Sequence, residues 1–214
     1  MTAICNIIFP ILPNYCAMTY QLFLALLGFA FVTSVTPGPN NMMLIASGAN
    51  FGFRRSIPHM LGISLGHALM VFLVGLGLAG LVHAQPNILI GMKIASVLYM
   101  LWLAWKIAHS AAPGEGKSGA RPFSFFQAAA FQWVNPKAWA MALGATSAYA
   151  PDASVRSYGI VAVIFACTNL PSVSVWAYAG QKLRAYLSSP GRLRAFNWTM
   201  AGLLILSLIP VLLE

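Results

Sequence analysis

Residues 34–55, "SVTPGPNNMMLIASGANFGFRR", decide how the chain is built, because Pro37, Gly38 and Pro39 interrupt a charge-free run over 20–50. As one straight helix that run of about 31 residues would extend about 46 Å, against about 30 Å of bilayer hydrocarbon. Each proline lacks an N–H and clashes with the preceding turn, while Gly38 permits the backbone path that follows. The pattern predicts two half-helices, one ending near Val35 and one beginning near Asn41. Broken backbone persists in lipid only where protein buries it or where it lines a cavity. Thr36, Asn40 and Asn41 add side-chain donors and acceptors at the same depth.

The rest of the chain suits the same setting. Of 214 residues, 59% are hydrophobic and 7% charged, with a mean hydropathy of +0.77, whereas soluble domains carry about 25% charged residues. The composition is that of an all-α integral membrane protein in contact with membrane lipid. A net charge of +9 does not indicate nucleic acid, since the basic residues lie scattered between apolar runs and form no patch. Apolar stretches predict six transmembrane helices, over 19–49, 57–82, 88–107, 123–150, 158–180 and 196–213. Arg54, Arg55, Lys106, Lys117, Arg121, Lys182, Arg184, Arg192 and Arg194 fall in alternate connections, and Arg156 alone falls in the others. By the positive-inside rule the first set is cytoplasmic and both termini face outward.

Residues 1–17 fit poorly: they are apolar, too short to span, and contain Pro10 and Pro13. They read as an N-terminal extension. The remainder divides into a first three-helix repeat (18–110), a cytoplasmic linker (111–122) and a second three-helix repeat (123–214). Gly62 and Gly66 form a small-xxx-small pair that predicts close packing of the second span. Cys5, Cys16 and Cys167 lack metal-ligand spacing; Cys167 reads as a small buried residue, and a Cys5–Cys16 bridge stays open. Lys93 is expected to snorkel to the interface, while Trp102, Trp105 and Lys106 form an anchor set at the other end of the third span.

A second interruption, Asn135, Pro136 and Lys137 in "FQWVNPKAW", breaks the fourth span as Pro37 breaks the first. Three spans per half force the halves into opposite orientations. Paired, proline-interrupted segments in inverted halves point to a transporter's binding site near the midplane. The residues expected to bind substrate are Thr36, Pro37, Gly38, Pro39, Asn40, Asn41, Asn135, Pro136, Lys137 and Asn169. Lys137 reads either as a carboxylate-binding or gating group at the midplane or as an interfacial anchor. Glu115, Asp152 and Glu214 are the three acidic residues, and all fall in loops or at the terminus. His67 is the mid-membrane candidate for proton coupling, with a packing role as the alternative. Thr168, Asn169, Pro171 and Ser172 predict a polar kink in the fifth span.

Taken together, "TPGPNN", "GFRRSIPHMLGISLGHA", "LYMLWLAWKIAHS" and "FQWVNPKAW" resemble the lysine exporter and homoserine/threonine exporter superfamily, and most nearly its cysteine and O-acetylserine exporter branch. The resemblance implies a six-span exporter of small amino acids in the bacterial inner membrane, working as a homodimer. Some members carry an acidic residue where this chain has Asn40, so a neutral substrate is expected here in place of lysine. Exporters of homoserine, threonine or leucine-like substrates are the related alternative, and a passive channel for small polar solutes is another. An enzyme is not expected, because the spans hold no paired nucleophile and base and no metal cluster. Neither cofactor nor metal is called for.

Overall fold

The computed structural model describes residues 18–110, 121–187 and 189–209, and among them all regular structure is helical. The expectations for 1–17, for most of the linker with Lys117 and Glu115, and for residue 214 lie outside the described residues.

The first span breaks where the prolines require. Thr19 opens α1 (Tyr20–Val35), its hydroxyl accepting from the N–H of Leu22 at 3.2 Å. Thr36 stands before a proline, which disfavours helical backbone, and at ψ 131° it ends the helix. Pro39 begins α2 (Pro39–Phe51) at the first helical position, where its missing N–H costs nothing. That start is two residues earlier than expected. The two half-helices meet at a bend of 55°. Gly52, at φ 82°, ends α2 and opens α3 (Phe53–Leu73), a reversal that a side chain would strain.

Beyond α3 a five-residue π-helical segment (Val74–Leu78) leads into α4 (Ala79–His83) and α5 (Pro86–Ala108). A capping box starts α6 (Phe125–Gln132): Ser124 accepts from the N–H of Gln127, whose side chain accepts from the N–H of Ser124. Pro136 opens α7 (Pro136–Tyr149), so the second break spans three residues. The longest helix, α8 (Val155–Leu183), and α9 (Pro190–Leu206) complete the bundle. Phe53–Leu81, Ile90–Ala108 and Val155–Leu183 are each long and apolar enough to cross a membrane, and the bent pair α1/α2 makes a fourth.

Packing is organised around α8, which lies against α1, α2 and α3, while α6 covers α3 and α9 covers α5. Small residues permit the closest approaches. A Cβ on Gly48 would stand 2.0 Å from the Ala177 carbonyl oxygen, and one on Gly180 would stand 2.2 Å from that of Ile45. These two glycines let α2 and α8 meet backbone to backbone. Gly62 and Gly66 do the same for α3 against Phe125, Ala128 and Ala129 of α6, as their spacing predicts. Leu26, Met70, Ala142 and Phe165 fill one core region, and Met43, Met100, Phe131 and Leu204 another. The outside is apolar as well: Phe31, Leu69, Ile94, Leu98, Val163 and Val175 are all exposed, as lipid contact requires.

One expectation needs correction. Cys167 is exposed on α8, not buried. Helix α8 runs continuously through Pro171, whose own side chain is exposed, while Asn169 and Ser172 beside it are buried. His67 is buried, and so is His59 on the same helix, whose ring lies tilted against Phe123 at 5.2 Å.

Candidate functional site

Breaking a helix frees carbonyls and amides, and side chains from both breaks take them up. Asn41, buried, donates through Nδ2 to the carbonyls of Ser34 at 3.1 Å and Thr36 at 2.9 Å, which are the frayed end of α1. The carbonyl of Gly38 accepts from the N–H groups of Asn41 and Met42, each at 3.0 Å. At the second break Asn135 caps α7, its Oδ1 accepting from the N–H of Lys137 at 3.2 Å. The indole N–H of Trp139 satisfies the Trp133 carbonyl at 2.9 Å. Each interruption is therefore partly satisfied within the protein itself.

More informative is what joins the two breaks. Lys137 reaches across and donates through Nζ to the Thr36 carbonyl, at the negative end of α1, where a cation is favoured. Its side chain lies over Gly38 so closely that a Cβ there would stand 2.8 Å from Lys137 Cδ. Asn40 and Gln132 exchange two amide hydrogen bonds, Nδ2 to Oε1 at 2.9 Å and Nε2 to Oδ1 at 3.2 Å. Gln132 is fully buried and also donates to the Ala128 carbonyl at 2.9 Å. The segments "TPGPNN" and "VNPKAW", far apart in the chain, thus form one polar contact.

A small cavity of about 20 Å³ sits at this junction, lined by Gly38, Asn40, Asn41, Asn135, Lys137 and Asn169 among others. His67 also borders it, against the edge of Phe165 at 5.2 Å, with no hydrogen-bond partner on either ring nitrogen. Of the residues expected at the site, Thr36 takes part through its carbonyl while its hydroxyl bonds back to Val32. Pro37 and Pro136 shape the breaks without lining the cavity. Gln132 was not among the residues the sequence singled out. Its signal was available: a glutamine at helical spacing in an apolar run, just before the second break. Among the described residues no acidic side chain borders the cavity.

Lys137 is half-buried and bonded across to the first break. The short helix before it is packed into the bundle through Ala128, Phe131 and Gln132, which carries Lys137 onto the first break.

Comparison with known proteins agrees with this architecture. The profile of the LysE type translocators matches residues 31–213. A cysteine/O-acetylserine efflux protein of Klebsiella pneumoniae is 27% identical over 92% of this chain and 100% of its own length. Proteins described in the same words from two Escherichia coli strains, O139:H28 and K12, are 34% and 33% identical, each over 88% of this chain and 96% of the relative. No solved structure matches significantly. With nearly the whole bundle and both proline breaks inside the matched region, the chain belongs to the LysE-type translocator family.

Proposed function

We propose that the protein is a secondary-active exporter of small neutral amino acids or their derivatives, such as cysteine or O-acetylserine, across the bacterial inner membrane. The observation that carries this reading is the meeting of the two proline breaks, with Lys137 on the Thr36 carbonyl and Asn40 paired to Gln132. In the same reading the chain crosses the membrane six times as two inverted three-helix repeats, with both termini periplasmic, and works as a homodimer.

The geometry supports a displacement mechanism. A zwitterion in low dielectric needs acceptors for its ammonium and donors for its carboxylate, because either charge left unpaired costs several kcal/mol. The Thr36 carbonyl already holds an ammonium, that of Lys137. An incoming amino acid puts its own ammonium there and releases Lys137 to its carboxylate, and Asn40 and Gln132 turn their amides from each other to the ligand. The 20 Å³ now present admits about one water, so binding also parts the two broken spans. That parting is the alternating-access step. In this reading His67, buried beside the same cavity, is the candidate for coupling it to a proton.

The lining supports a neutral substrate, since among the described residues it offers one cation and no carboxylate to a ligand's charge. The test is export from loaded cells across a panel of amino acids, followed by counterflow in proteoliposomes. Efflux of cysteine or O-acetylserine with acceleration by unlabelled internal substrate is expected. Export of lysine or arginine alone would overturn the substrate class, and the absence of counterflow would make the protein a channel.

A further inference from the structure

The α2 surface also carries a cavity away from the breaks. Between α2, the end of α5 and residues 121–123 lies a cavity of about 340 Å³, within the range of small-ligand sites. One face of α2 forms its wall, with Met43, Ala46, Ser47 and Asn50 at helical spacing. That face continues from Asn40 and Asn41 at the central junction. Lys106 and Arg121 stand at the cavity, and among the described residues no acidic side chain lines it. Lys106 is held in place by rings, with Nζ 4.3 Å from the centroid of Phe123 and 5.3 Å from that of Trp102. A ring face cannot neutralise an ammonium, so among the described residues the pair leaves a net positive, half-dry recess. The floor is fixed by a buried amide pair: Asn50 Nδ2 donates to Asn197 Oδ1 at 3.0 Å, and Asn197 Nδ2 donates to the Ser110 carbonyl at 3.0 Å.

We infer that this cavity is a second, outlying binding site for the carboxylate of the transported amino acid, an entry vestibule on the side of the bundle where the basic loops lie. The inference rests on the exporter reading above. Lys106 and Arg121 bind the carboxylate, the apolar wall of Met43, Ala46 and Phe51 receives a small side chain, and α2 leads from there to Asn40. An anionic lipid headgroup carries the same charge as a carboxylate, so the assay separates the two by lipid composition.

Full-length protein is reconstituted in vesicles of neutral phosphatidylcholine and, separately, with phosphatidylglycerol added. Arg121→Gln, at the exposed rim, and Lys106→Met are expected to raise the KM for export about ten-fold with little change in the maximal rate, in both lipids. Arg121→Lys restores the KM. Binding of labelled O-acetylserine is measured as well on Lys137→Met, whose central site is disabled. Residual binding is expected there and is abolished by adding Arg121→Gln. An unchanged KM in both variants, no residual binding in Lys137→Met, or an effect confined to phosphatidylglycerol vesicles overturns the vestibule; the last result gives the recess to a lipid phosphate. Failure of the wild type to export amino acids removes the exporter reading, while the binding measurement still decides the vestibule.

Discussion

At the residue scale, Lys137 and Asn40 carry the heaviest consequences, because each closes a contact between two breaks that nothing local would hold together. Lys137→Met keeps length and apolarity and deletes the ammonium that sits on the Thr36 carbonyl. Asn40→Ala leaves Gln132 buried with two unanswered hydrogen-bonding groups. Losing amide contacts to a charged ligand costs about 1.5–3 kcal/mol, so the half-saturation constant for export should rise roughly ten-fold to over a hundred-fold, with normal membrane insertion. The double variant should be non-additive, since both side chains answer to one ligand. Transport kinetics on the four proteins measure this, and wild-type export by Lys137→Met would reduce the junction to scaffolding. Gln132→Leu fills the same space without an amide and should resemble Asn40→Ala.

At the scale of elements, α2 is the part whose surroundings are most demanding. Gly48 and Gly180 bring its backbone against α8, and its two ends are tied by amide pairs, Asn40 with Gln132 and Asn50 with Asn197. Gly48→Val would drive a branched side chain into the Ala177 carbonyl, where the neighbour is backbone and has no rotamer to yield. Overpacking of this kind costs about 1–3 kcal/mol, so a lower melting temperature in detergent and reduced transport are expected. Gly28→Ala on α1 meets nothing within 4 Å and should leave both unchanged. Equal effects of the two substitutions would mean that helix propensity, not close packing, governs the response.

At the scale of the whole molecule the question is orientation. The basic connections predict that Arg54 and Arg192 face the cytoplasm and that the C-terminus faces the periplasm. Reporter fusions after Arg54, after Arg192 and at residue 214 test this directly. A cytoplasmic C-terminus would remove the odd span count on which the inverted repeats depend.

How far these features were legible before folding differs between them for physical reasons. The position of the first break, the end of α1 at Val35 and the second break before Pro136 follow from proline's missing N–H and from the backbone it forces on its predecessor, which no tertiary context changes. Membrane residence follows equally from composition, and close packing at Gly62 and Gly66 from residue size. Partners across the bundle do not follow. In helices apolar on every side, no periodicity marks the inward face, so the sequence left Cys167 inside when it lies outside and passed over Gln132. Only the assembled bundle decided that a lysine from one break lies on the carbonyl freed by the other, because that contact depends on how two distant half-helices pack and not on the residues beside either.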